Sequence, residues 1–266
     1  MDRKINVTIY NENFHESTIP QLKTVYPESI HGALRSFLEK DSDIGTLRIA
    51  TLEDHEEIMT QEVMDDTDVL IWWGHAKHPD VSDEVVDRCA KRVLEGMGLI
   101  ALHSAHASKL FQKLLGTETY WVRWREAGEK VRLWNLAPNH PITQGIGETF
   151  VVPHDETYGE PFGIPNPDEL IFLSWYQGGE VFRSGCTWHR GEGKIFYLQD
   201  GHETFPIYYQ PEIQKIITNA VKWACPIKRA CKIDRGGPNT PALETYELED
   251  HDFLLLDAKD HPAFQK

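Results

Sequence analysis

The five residues "VLIWW" at 69–73, closed by Asp68 on one side and Gly74 on the other, are apolar without a break. A strand with one solvated face alternates apolar and polar side chains. A short run without alternation suits a strand covered on both faces, as inside a parallel sheet. The flanking segments fit that reading. "INVTIY" at 5–10, "TLRIATL" at 46–52 and "GLIALH" at 98–103 read as further strands. "SIHGALRSFLEK" at 29–40 sets Ile30, Leu34, Phe37 and Leu38 at helical spacing. Ser82 precedes "DEVVDRCAKRVLEGMG", which has acids in its first turn and Gly at its end, the signals of a capped helix. "ASKLFQKLL" at 107–115 reads as a short helix. The order strand, helix, strand, strand, helix, strand, helix predicts an α/β fold with a doubly wound, mainly parallel sheet.

From about 119 to 195 the pattern changes. "WVRW", "VRLWNLA", "TFVVPHDE", "LIFLSW" and "EVFRSGCTW" are strand-like and separated by Pro/Gly turns, and "KIFYL" follows. This predicts an added antiparallel segment whose last strand rejoins the main sheet. "PEIQKIITNAVKWA" at 211–224 carries an apolar stripe from Ile213 to Ala224, with Pro211 suited to a first helical turn. The expected organisation is one α/β domain over 1–226, then a breaker-rich linker and tail over 227–266. "DFLLLDA" at 252–258 is an apolar patch in an acidic tail, expected to dock on the domain or on a second copy in a homo-oligomer.

Charge and cysteines narrow the class. A net charge of −15 argues against nucleic acid and against an anionic membrane as partner. "VLIWW" is the longest apolar run, far short of a membrane span, and the start of the chain lacks the apolar core of a secretory signal. Cys89, Cys186, Cys225 and Cys231 lack metal-binding spacing, which favours a cytoplasmic protein with reduced thiols. There is no GxGxxG, Walker A or GxSxG motif.

In open α/β sheets ligands sit beyond the carboxyl ends of the strands. The segments to watch are Asn11 to Glu16, Gly74 to His78 and His103 to Ser108. The chain has 13 histidines, and His75, His103, His106 and His202 each follow a predicted strand, with His15 shortly after the first. One such histidine is commonly a hydrogen-bonded structural residue. Several converging on one edge could bind a metal or move protons near neutral pH. "PHDETYGEPF" at 153–162 adds His154, Glu156 and Tyr158. On a strand His154 and Glu156 share a face, as a base with its partner or as two metal ligands; the bland alternative is a solvated polar turn. Arg183 and Trp188 could line a sugar or anion pocket, with Trp188 equally suited to the core. Arg183 would need a carboxylate, with Glu156 and Glu203 as candidates. The expected catalytic set is His103, His106, Glu156, His202 and Glu203. Asn11, His15, His75, Tyr158, Arg183 and Trp188 are the expected substrate-binding set. No cofactor is certain from the sequence; the candidate is a divalent metal, zinc, on His103, Glu156 and His202, with His75 and His106 in reserve.

The stretches "VTIYNENFHE", "VLIWWGHAKHPDVSDEVV", "GMGLIALHSAHASKLFQKLLG", "HPITQGI", "ETYGEPF", "DELIFLSWYQGGEVFRSGCTWHRGEGKIFYLQDGHET" and "NAVKWA" resemble the ThuA-like, or trehalose utilisation, family over about residues 4–226. The resemblance implies a flavodoxin-like fold akin to class I glutamine amidotransferases. In those enzymes a His-x-Glu pair after a late strand completes a Cys-His-Glu triad. Here His202 stands at the matching strand exit with Glu203 adjacent, but "IALHSAHAS" offers no cysteine nucleophile, so glutaminase activity is not expected. The resemblance implies a carbohydrate-catabolic enzyme acting on a small-molecule sugar such as a 3-keto-disaccharide, by acid–base cleavage with or without a metal. Two other readings stand beside it: a hydrolase using Ser104 and His202, and a non-catalytic sugar-binding or regulatory protein.

Overall fold

Local signals and long-range pairing divide the work of building the sheet. The structure, a computed structural model, describes residues 3–228 and Glu244. In chain order β1 (Ile5–Asn11) is followed by α1 (Phe14–Thr18), α2 (Ser29–Leu38), β2 (Ile44–Thr51), α3 (His55–Ile58), α4 (Gln61–Asp66), β3 (Val69–Trp73), α5 (Asp83–Leu94), β4 (Gly98–Leu102) and α6 (Lys109–Leu115). Then come β5 (Arg123–Asn135), β6 (Thr149–Gly159), β7 (Glu169–Tyr176), β8 (Val181–Arg190), β9 (Gly193–Leu198) and α7 (Pro211–Ala224).

Among the described residues nine strands join one sheet in the order β2-β1-β3-β4-β9-β8-β7-β5-β6. β2, β1, β3, β4 and β9 pair in parallel. That order is the 2-1-3-4-5 arrangement of flavodoxin-like folds, with β9 as the fifth strand. β8, β7, β5 and β6 extend it antiparallel, and β9 is the hinge strand, parallel to β4 and antiparallel to β8. The expected antiparallel addition and its return to the main sheet are both present.

β3 is buried at every position, as its unbroken apolar run required. α7 buries Ile213, Ile216, Ile217 and Val221, each contributing about 1.5–3 kcal/mol relative to exposure. Two expectations need correction. The connection from β2 to β3 is not an unstructured link, since α3 and α4 occupy it. "WVRW" and "VRLWNLA" are not two strands: Arg123 and Trp124 of the first and residues 131–135 of the second belong to one strand, β5, whose pairing with β6 shifts register near Glu129. The expected docking of "DFLLLDA" falls outside the described residues. Among the described residues no helix is long and apolar enough to cross a membrane.

Candidate functional site

The carboxyl ends of β1, β3, β4 and β9 meet at one edge, and each supplies a part. After β1, the Glu12 carboxylate accepts the backbone N–H groups of His75 (2.8 Å), Ala76 (2.9 Å) and Lys77 (2.9 Å). Three converging donors tie the loop after β3 to the end of β1 and fix the backbone of His75. After β4, His103 takes φ 55, the left-handed region that L-residues rarely enter. Its ring is fully buried and stacks against Trp73 (centroids 6.1 Å) and Tyr158 (5.7 Å). After β9 the turn at Gly201 has φ 146, and a Cβ there would lie 2.0 Å from the Tyr208 hydroxyl oxygen, so the "DG" turn demands glycine. The Gly201 carbonyl accepts from Trp73 Nε1 at 3.0 Å, and His202 follows at once.

Three imidazoles thereby form a tripod. Ring centroids are 5.6 Å apart for His75 and His103, 4.9 Å for His75 and His202, and 5.1 Å for His103 and His202. The Nδ1 of each is held from behind. His75 Nδ1 donates to Glu203 Oε1 (2.7 Å), and His103 Nδ1 to the Gln199 carbonyl (3.1 Å). His202 Nδ1 lies 2.7 Å from Thr204 Oγ1. The Thr204 amide also lies 3.2 Å from that nitrogen. A backbone amide can only donate, so His202 Nδ1 accepts from it and the ring proton of the neutral imidazole sits on Nε2. The Nε2 atoms of His103 and His202 are buried and lack hydrogen-bond partners, as does Glu156 Oε2. Glu156 Oε2 sits 3.3 Å from His103 Nε2 and 4.0 Å from His202 Nε2.

The electrostatics follow from burial. It pushes the Glu156 carboxyl up to about 7, and it lowers His103 well below an ordinary imidazole and His202 less far. Burial would raise Glu203 too, but hydrogen bonds from His15 (2.5 Å) and His75 outweigh it and keep the carboxyl ionised. His15, in turn, is raised by that hydrogen bond. Asp155 and Asp200, both fully buried, are also raised, Asp200 to about 7, by burial first and, for Asp155, by the nearby Asp200 carboxylate.

A cavity of about 170 Å³ opens onto this edge, lined by His75, Ser104, His106, Tyr120, Trp124, Glu156 and Tyr158 among others. Ser104 Oγ is hydrogen-bonded to the Tyr158 hydroxyl at 2.8 Å. Burial keeps that phenol protonated, so it is no base for a serine nucleophile. His106, buried and pushed down to about 4, donates from Nδ1 to the His103 carbonyl at 3.2 Å.

The sequence matches the trehalose utilisation family, ThuA, over residues 6–224. The chain belongs to the ThuA family. Among solved structures it is similar to a ThuA-like protein from Parabacteroides merdae (TM-score 0.62, 14% identity, 87% of this chain and 94% of that one). It is also similar to a ThuA-like protein from Bacteroides uniformis (TM-score 0.59, 19% identity, 84% and 93%). A protein described as cytoplasmic from Salmonella typhimurium follows (TM-score 0.55, 14% identity, 74% and 88%). No curated protein matches the sequence.

In this ThuA-family chain the expected residues separate into two groups. His75, His103, His106, Glu156, Tyr158, His202, Glu203 and His15 come together. Asn11, Arg183 and Trp188 do not line this cavity. Asn11 is fully buried, with Nδ2 donating to Glu16 Oε1 at 2.9 Å. Arg183 pairs not with Glu156 or Glu203 but with Glu160, through Nε (2.8 Å) and Nη2 (3.0 Å). Trp188 is core, edge-on to Phe111 at 5.8 Å. His154 does not pair with Glu156: it is exposed, with Nδ1 2.9 Å from the Gly128 carbonyl. Two positioning residues escaped the sequence reading. Glu12 does the work of fixing His75. Gln199 holds His103 by its carbonyl and the Glu156 carbonyl by its side-chain amide (3.2 Å).

Proposed function

We propose that this protein is an enzyme of sugar catabolism that cleaves a 3-keto-glycoside by proton transfer at the carboxyl edge of its sheet. The observation that carries the reading is the Glu156 carboxylate: buried, with an unpartnered oxygen, on the wall of a cavity shared with His75. Membership of the trehalose utilisation family supports a sugar substrate. A ketone at C3 acidifies the C2 hydrogen. Glu156 takes that proton, the C–H electron pair forms the C1–C2 double bond, and the C1–O bond breaks with its electrons leaving on the glycosidic oxygen. That oxygen then takes up a proton. Ser104, His106 and Tyr158 supply hydrogen bonds to sugar hydroxyls, and Tyr120 and Trp124 offer aromatic faces at the cavity wall.

The test is incubation of the protein with 3-keto-trehalose and 3-keto-glucosides, following release of the second sugar or aglycone. The expected result is turnover that Glu156→Gln slows by roughly 10²-fold or more, the usual size of a general-base contribution. No turnover of any keto-glycoside by wild-type protein would refute the reading.

A further inference from the structure

The tripod of imidazoles has a feature that proton transfer alone does not require. Histidines serving only as hydrogen-bond donors to a sugar would present N–H to the cavity. On His75 and His103 the hydrogen bonds at Nδ1 consume the ring proton and leave Nε2 as a lone pair; His202, whose Nδ1 accepts from the Thr204 amide, would give up its Nε2 proton to a metal. One ligand atom from each of His75, His103, His202 and Glu156 lies within 4.8 Å of the others. Two of the three Nε2 atoms are buried without a partner, and buried polar atoms are rarely left so. Leaving such atoms unsatisfied in the interior is destabilising. We propose that His75, His103 and His202 bind a divalent transition-metal ion, zinc foremost, through their Nε2 atoms, with a coordination position left open beside Glu156.

Ligand chemistry selects the metal class. Neutral imidazole suits zinc, iron, nickel and copper; magnesium and calcium take oxygen ligands. Three protein nitrogens and one free position is the arrangement of a catalytic rather than a structural zinc site. The supporting contacts fit as well. Metal-bound histidines commonly donate their other ring nitrogen to a carboxylate or carbonyl, and here Glu203 and the Gln199 carbonyl accept from His75 and His103. The neighbouring group of His15, His75 and Glu203 also clusters. It is already closed by hydrogen bonds of 2.5 and 2.7 Å to one carboxylate oxygen, so it serves as the support and not as a second site. The metal deepens the proposed reaction, since a cation beside Glu156 would polarise the C3 ketone of the sugar.

The decisive measurement is metal binding, which does not depend on knowing the substrate. Full-length protein without a His-tag is stripped with chelator and titrated with Zn²⁺ and with Co²⁺, whose visible bands report the ligand field. Mg²⁺ is the control. The expected result is one equivalent of Zn²⁺ or Co²⁺ bound and no response to Mg²⁺. His103→Gln and His202→Gln, shown folded by near-ultraviolet circular dichroism, should each weaken binding by roughly 10-fold or more. Glu156→Gln should keep the metal while losing turnover. Wild-type protein that takes up no Zn²⁺ or Co²⁺, or histidine variants that bind as wild type does, would overturn the metal site. Loss of metal from Glu156→Gln as complete as from the histidine variants would instead make Glu156 a ligand and overturn its role as the base.

Discussion

His103 occupies a left-handed backbone position at φ 55 and gives the site its most buried ring. Left-handed geometry costs an L-residue roughly 1–2 kcal/mol that glycine does not incur. His103→Ala and His103→Gly leave nearly the same cavity, so their difference isolates the backbone. The glycine variant should melt roughly 2–4 °C above the alanine variant, the shift expected for about 1 kcal/mol in a domain of this size. Equal melting temperatures would mean that the strain is absent. Glu203 is the second residue whose role can be isolated. Glu203→Gln removes the anionic acceptor behind His75 and His15. It should weaken Zn²⁺ binding about 10–100-fold, read by chelator competition, with the fold intact. His75, His103 and His202 were legible in the sequence because each lies within four residues of the end of an apolar run, and strand ends share an edge. Glu12 and Gln199 were not, since a carboxylate that caps a loop and an amide that bridges two strands bear no mark until those strands are placed.

At the scale of elements, Arg183 ties β8 to the chain leaving β6. Its partner Glu160 lies just past the end of β6, and the two form a bidentate pair. Burial would raise the Glu160 carboxyl, but Arg183 and the backbone amides of Arg183 and Phe162 hold it below its ordinary value of 4.5. A depressed carboxyl stabilises the fold above its unfolded titration range and loses that contribution as pH falls through its own lower range. Arg183→Met should therefore lower the melting temperature at pH 7 by a few degrees, roughly 2–4 °C. The difference from wild type should shrink below the ordinary glutamate range, and KM should stay unchanged. A raised KM with no change in melting would return Arg183 to the substrate site. Long elements read correctly for physical reasons: α5 and α7 carry apolar stripes, and β3 has no polar face. α3 and α4 did not, because they span only 4 and 6 residues. Their sequence, "HEEIMTQEVMDD", is too acidic to show a stripe, and Thr60, which accepts from the Val63 amide, is their clearest local signal.

The whole molecule brings the parallel and antiparallel halves of one sheet to a single cavity. Four strands separate β4 from β6 in the sheet order, yet Glu156 on β6 lies 3.3 Å from His103 just after β4. The antiparallel half must therefore curl back over the carboxyl edge of the parallel half, as sheet twist and the irregular register of β5 allow. Tyr120 and Trp124 come with it; they are 67% and 64% exposed, and both line the cavity. A sugar bound there would touch His75 and Ser104 from one half and Trp124 and Glu156 from the other. Trp124→Ala should then raise KM about 10-fold, worth about 1.4 kcal/mol of lost stacking, with kcat changed much less. Ligand binding should also slow amide exchange in β5 and β6, because local opening of that half would break contacts to the sugar. β2, at the opposite edge and away from the cavity, should exchange at its unliganded rate. If β2 gains as much protection as β6, binding stabilises the molecule as one unit and the curled half does not close on the ligand.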